Sequence, residues 1–275
     1  MTEPKRSEYV LGYQDNELQR LMYQSRFLGE LTEDIFRKAG IGPGMRVLDV
    51  GCGVGDVSLL AATLVGPSGS VLGVDRSAEA LAIARKRAIS ASLTNVSFAQ
   101  SELDVLSLDL KFDALVGRLV LLYMKDPAAC LRQWANHVLP GGIVVFHEMV
   151  MTAVRSFPPS PTNDDAVKRV VEVFRRAGNE VDMGMRLYQT FVTGGLPAPQ
   201  MMLGGRVEGG PDALTYAYIA ESVRSLMPMM EEFGVWTARE AEIDTLAIRI
   251  RDEVVAAGGV VIPPPMIGAW VRLPQ

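Results

Sequence analysis

The stretch RVLDVGCGVGDVSLLAA, Arg46–Ala62, constrains this 275-residue chain more than any other. Arg46–Val50 lacks the polar alternation of a half-exposed strand, as expected of a central parallel strand buried on both faces. Gly51, Gly53 and Gly55 then break the strand, and a helix follows. A strand, a glycine turn and a helix in that order open a parallel sheet wound on both faces. The turn lies at the carboxyl end of the strand, where such sheets bind cofactors.

The following residues repeat that unit. Strands are predicted at Val71–Val74, Val96–Ala99, Phe112–Val116 and Ile143–Phe146, with helices between them. Ser77 reads as one helix cap. Asp126-Pro127 opens another helix, predicted to reach about Val138. Residues 15–39 have apolar spacing of helical period and stop at Gly40–Gly44. Beyond residue 150 the pattern changes. The spacing predicts a helix over Asp164–Ala177, a strand within Leu196–Val207, long helices over Asp212–Phe233 and Ala238–Ala257, and a last strand over Met266–Leu273. The expected organisation is a helical lid (1–40), a cofactor-binding core (41–160) and a C-terminal part (161–275). That last part completes the sheet and carries a helical substrate cap at about 210–258.

Composition narrows the partners. A net charge of −5 argues against nucleic acid, which needs a basic stripe. Two cysteines, Cys52 and Cys130, make a disulfide framework improbable and point to a reducing compartment. No apolar core follows the basic residues of MTEPKRSEYVLGYQDNE, and no apolar run reaches a membrane span. A cytoplasmic chain without a membrane partner is expected. No His/Cys/Asp/Glu cluster has metal-ligand spacing.

The turn also discriminates between cofactors. The dinucleotide fingerprint G-x-G-x-x-G places its third glycine where this chain has Asp56, and a carboxylate there repels a pyrophosphate. No lysine follows to make a P-loop. S-adenosylmethionine carries a sulfonium and an ammonium and no phosphate. Asp49, ending the first strand, suits such a cation, and Gly51 and Gly53 allow close backbone approach. Asp75, ending the second strand, can accept hydrogen bonds from both ribose hydroxyls. A dinucleotide site would use the same acid, so Asp75 alone does not discriminate.

The motifs VLDVGCGVGD (47–56), VLGVDRS (71–77), FAQSELDVLSL (98–108), FDALVGRLVLLY (112–123) and LPGGIVVFHE (139–148) resemble the class I S-adenosylmethionine-dependent methyltransferases. The resemblance implies an α/β fold, a doubly wound, mostly parallel seven-stranded Rossmann-like sheet with its last strand antiparallel and a helical cap insertion. It implies Arg76 beside the adenine, and Glu102 with Leu103 near the adenine amine, where the family commonly has Gly-Asp. It implies Arg118 near the methionine part. The bland alternative pairs Arg118 with an acid such as Asp113. The family's amino-terminal segment folds over the cofactor. Gln24 or Arg26 would then reach the methionine carboxylate, and Tyr9, Tyr13 and Tyr23, with Tyr123 further on, would meet the substrate. The alternative is an ordinary amphipathic helix.

His147-Glu148 ends the fifth predicted strand, where the acceptor should sit. His147 is read as a general base or as a residue that only orients substrate, with Glu148 as orienter or substitute. On a regular strand the two point to opposite faces. The expected activity is methyl transfer to a small, aromatic or hydrophobic metabolite at O, N or C. The alternatives are a nicotinamide oxidoreductase, a non-catalytic S-adenosylmethionine-binding protein and a nucleic-acid methyltransferase. Gly117–Val120, in place of an [Asn/Asp]-Pro-Pro-aromatic motif, speaks against the last.

Overall fold

The computed structural model describes residues 28–275. The described chain packs as two compact units. The larger comprises residues 28–148, Met183–Gly204 and Met266–Gln275, and the smaller comprises Met149–Asp182 and Gly205–Pro265.

The larger unit holds a seven-stranded sheet. Its strands are β1 (Arg46–Val50), β2 (Ser70–Asp75), β3 (Val96–Gln100), β4 (Phe112–Arg118), β5 (Val138–Met149), β7 (Gln200–Gly204) and β10 (Met266–Arg272). Their order is β3-β2-β1-β4-β5-β10-β7. The pairs β1/β2, β1/β4, β2/β3 and β4/β5 are parallel, whereas β10/β7 is antiparallel. The order reverses between β1 and β4, so their carboxyl ends flank the crevice where a ligand fits such a sheet. The unit's helices are α1 (residues 28–39), α2 (Asp56–Val65), α3 (Ala78–Ser90), α4 (Pro127–Ala135) and α6 (Met183–Thr193). Ile35 and Phe36 of α1, Val57 and Ala61 of α2, and Val47, Val116 and Val145 of the sheet form one buried cluster. Elsewhere in this unit Phe146 stacks on Trp134 of α4 at 5.9 Å and meets Phe191 of α6 edge-on at 6.3 Å. Burying these rings and aliphatic side chains is the main force holding helices to sheet.

The second unit contains a three-stranded antiparallel sheet, β6 (Arg155–Phe157), β9 (Val260–Ile262) and β8 (Glu208–Gly209), in the order β6-β9-β8. Its helices are α5 (Pro161–Arg176), α7 (Leu214–Glu232), α8 (Ala238–Ala241) and α9 (Leu246–Ala256). Ser160 caps α5 through the amide of Asn163, and Arg169 lies 4.6 Å above the Trp236 ring. Residues 161–275 contribute to both units.

Several boundaries differ from the sequence reading. The helix opened by Asp126-Pro127 ends at Ala135, and β5 begins at Val138 and runs through the Pro-Gly-Gly segment. A register shift on β4 between Phe112 and Ala114 absorbs the irregularity. The helix expected over Ala238–Ala257 breaks at Glu242, whose φ of 45° is left-handed. The strand expected within Leu196–Val207 shortens to β7. Helix α6 and the three short strands β6, β8 and β9 escaped the reading. Two or three residues are too few to display a period.

Candidate functional site

At the exits of β1 and β2, the glycine turn is tied down by its own backbone. The amides of Gly51 and Cys52 donate to the Val74 carbonyl at 2.8 and 3.1 Å. Gly51 has φ +68°, and a Cβ there would lie 2.5 Å from Val120, so both conformation and space exclude a side chain. Gly53, at φ +52°, has no heavy atom of the described residues within 4 Å of its Cβ position. This bare stretch of backbone is the approach a flat or extended ligand needs.

Three carboxyls surround the turn. Asp75 Oδ2 accepts from the Gly53 amide at 2.8 Å, and Oδ1 accepts from the Ser77 amide at 2.9 Å. Each oxygen keeps a lone pair for another donor. Asp49 is 1% exposed. Ser58 donates to its Oδ2 at 2.6 Å, while Oδ1 is buried without a hydrogen-bond partner among the described residues. Burial pushes the Asp49 carboxyl up to about 7, against the pull of Ser58 and Arg118, and Asp75 and Asp56 add to the rise. Asp56 opens α2 and accepts from Arg87 at 2.5 Å, with Arg118 at 3.5 Å. The place of the third fingerprint glycine is therefore a carboxylate in an ion-pair chain.

The exits of β4 and β5 form the opposite wall. Arg118 ends β4, buried, and donates to Thr32 Oγ1 at 3.1 Å as well as pairing with Asp56. The acid it meets is Asp56; Asp113, the acid named as its alternative partner, binds the Arg46 amide and guanidinium instead. The next residue, Leu119, has φ +55°, a left-handed conformation that costs a branched side chain energy. Glu148 holds this exit in shape. Its Oε1 accepts from the amides of Val120 at 2.9 Å and Leu121 at 2.8 Å, and its Oε2 is buried without a partner among the described residues. Burial raises Glu148 to about 8, so it carries a proton at neutral pH, although the backbone donors pull the other way. His147 lies on the other face of β5, with Nδ1 3.2 Å from Thr32 Oγ1. Burial and the neighbouring Arg118 lower it to about 3, so it is neutral.

The other predicted residues take simpler positions. Glu102 and Arg76 are exposed, and Leu103 is buried with its carbonyl accepting from Trp134 at 2.7 Å. Tyr123 is half-buried in the turn after β4. The amide of Ser101 donates to the Asp75 carbonyl at 3.0 Å, which brings the Glu102 segment to the β2 exit. Tyr9, Tyr13, Tyr23, Gln24 and Arg26 lie outside the described residues. Sequence reasoning missed Ser58, Arg87 and Thr32. Ser58, a lone hydroxyl among Val57, Leu59, Leu60 and Ala61, was a readable signal. Thr32, among other polar residues, gave none.

The order of the strands, the glycine turn and the acids at the exits of β1 and β2 define a class I S-adenosylmethionine-dependent methyltransferase fold. Residues 41–195 match the family described as methyltransferase domain, and the chain belongs to that family. S-adenosylmethionine is its cofactor. Among the relatives is an arsenite methyltransferase of Aquipseudomonas alcaligenes, 39% identical over 38% of this chain and 33% of its own length. A ubiquinone/menaquinone biosynthesis C-methyltransferase of Hahella chejuensis is 27% identical over 72% of this chain and 70% of its own. The chain spans about half or less of the length of most curated relatives it matches, down to 30% for an arsenite methyltransferase of Halobacterium salinarum. A Haemonchus contortus phosphoethanolamine N-methyltransferase 2, solved with S-adenosylhomocysteine, has the same fold. Its TM-score is 0.54 at 17% identity, covering 88% of this chain and 52% of that one. No helix among the described residues is long and apolar enough to cross a membrane.

Proposed function

We propose that this chain transfers the methyl group of S-adenosylmethionine to a small organic acceptor, aromatic or hydrophobic in character. The single observation that carries this reading is the β1–β2 exit. A turn of bare backbone is flanked by a buried carboxyl with an orphaned oxygen, Asp49, and by a second, Asp75, with lone pairs to spare. That donor set fits a ligand that brings a cation and a pair of hydroxyls, and Asp56 makes it a poor seat for phosphate. The cofactor supplies an activated methyl on a positively charged sulfur.

The chain's own residues do the rest. Asp75 receives the ribose hydroxyls, and Arg76, Glu102 and Leu103 border the adenine. Asp49 supplies negative charge beside the cation, which in turn favours its ionised form. Gly51 and Gly53 let the methionine part approach, with Arg118 toward its carboxylate. Gln24 and Arg26 are assigned to the same carboxylate, and Tyr9, Tyr13, Tyr23 and Tyr123 to the acceptor. His147 and Glu148 stand beside the reacting end. Neutral His147 orients the acceptor by a hydrogen bond, while protonated Glu148, buried against the Val120 and Leu121 amides, braces the strand exit beside it; holding the acceptor in place lowers the barrier.

The acceptor is read as a metabolite and not nucleic acid because the chain is acidic. The relatives whose names mention quinone biosynthesis and arsenite acceptors define the first panel to try. Calorimetric titration with S-adenosylhomocysteine tests the cofactor half. We expect micromolar binding, and no heat at high micromolar ligand would end the reading. Isotope-labelled methyl transfer in a host extract tests the rest, with a cytoplasmic extract as the natural source.

A further inference from the structure

The chain has two histidines, and His147 sits in a hydrogen-bond arrangement whose protons can be counted. Thr32 is fully buried on α1. Its hydroxyl has one proton and two lone pairs. The proton goes to the Leu28 carbonyl at 2.7 Å, the shortest contact of the group. One lone pair receives the Arg118 guanidinium at 3.1 Å, a donor that has no acceptor to offer. The remaining lone pair faces His147 Nδ1 at 3.2 Å. The arrangement closes only if Nδ1 carries a hydrogen. The opposite tautomer would set two lone pairs against each other between buried groups, or take the hydroxyl proton away from Leu28.

We propose that Thr32 is a positioning residue: it fixes His147 with its hydrogen on Nδ1, leaving Nε2 a bare acceptor that receives an O–H or N–H of the methyl acceptor. Nε2 has no protein partner among the described residues, and its lone pair is the one assigned to the acceptor. The consequence for substrate class rests on the methyl-transfer reading; the tautomer does not. An acceptor with a hydroxyl or an N–H is held, and its already methylated ether or tertiary amine is not, so the same nitrogen would favour product release. Thr32 acts through the ring and touches no reacting atom.

Nitrogen-15 correlation spectra of histidine-labelled protein read the tautomer directly, with His137→Gln separating the two rings. The wild type is expected to show a protonated Nδ1 and an unprotonated Nε2 at His147 across neutral pH. Thr32→Val should shift the ring toward the Nε2-protonated form, and Thr32→Ser should restore the wild-type spectrum. An Nε2-protonated wild type would overturn the proposal before any variant is made, and so would a folded Thr32→Val with an unchanged spectrum. With S-adenosylhomocysteine present, phenol should move the Nε2 resonance and anisole, which has no donor, should not. Equal responses, or none to phenol, would remove the substrate half. Calorimetry with S-adenosylhomocysteine on the same samples keeps the two claims apart. Absent heat with the expected tautomer defeats methyl transfer and not the role of Thr32, whereas normal heat with the wrong tautomer does the reverse.

Discussion

Asp49 and Glu148 are both buried carboxyls at the carboxyl ends of parallel strands, and each has one oxygen without a partner among the described residues. They are otherwise built for different work. Asp49 meets one side-chain hydroxyl, lies near Arg118, and has its ionisation raised only to about 7. A small change in local charge therefore decides whether it is ionised. Glu148 meets two backbone amides of the β4 exit and is raised to about 8. It stays protonated at neutral pH and braces a left-handed residue, Leu119, next to Arg118. The first carboxyl can answer a cationic ligand; the second holds the exit of β4 in shape. Burial alone does not assign a role to an acid. The kind of donor it faces does.

The sharpest way to break this contrast is to remove the brace. Glu148→Ala strands two buried amides and should cost about 3 kcal/mol in urea unfolding. Glu148→Gln keeps the accepting oxygen and should cost under about 1 kcal/mol at pH 6. Equal losses in both variants would show that the charge, and not the acceptor, matters.

On the ligand side, Asp75→Ala should weaken S-adenosylhomocysteine binding by roughly 100-fold, the scale of two charge-assisted hydrogen bonds. Calorimetry reads the change, and an unaltered affinity refutes the ribose assignment.

Stability against pH separates the neighbours on β5. The folded state holds the Glu148 proton more tightly than the unfolded chain, so its contribution is complete below the ordinary 4.5 and lost as pH rises through about 8. His147 has the opposite sign. Its contribution is present above the ordinary 6.5 and lost as pH falls through about 3. Asp49 adds to the alkaline loss between the ordinary 3.8 and about 7. Chemical denaturation across this range should show decline on both sides, and Glu148→Gln should flatten the alkaline side only.

The smallest effect concerns Asp49. Because a cation favours the ionised carboxyl, S-adenosylmethionine should bind more tightly as pH rises through about 7. Asp49→Asn should remove that dependence and cost S-adenosylmethionine roughly tenfold more than the neutral product. Equal losses for both ligands would mean that Asp49 does not sense the sulfonium.

The sequence by itself determined the sheet and the residues that gather at the ends of β1 and β2. Apolar runs, glycine turns and strand-ending acids are local signals, since a buried parallel strand must be apolar along its length and a tight turn must lack side chains. Asp49, Gly51, Gly53 and Asp75 were legible for that reason. Only the tertiary structure decided that Arg118 meets Asp56 and Thr32, that Glu148 faces backbone amides, and that His147 is buried and neutral. These facts depend on which distant segments share a buried space. Thr32 is 115 residues from His147 along the chain, and nothing local in the sequence encodes their meeting. Ionisation follows the same logic, because what shifts a carboxyl or an imidazole is the burial and charge that packing brings to it.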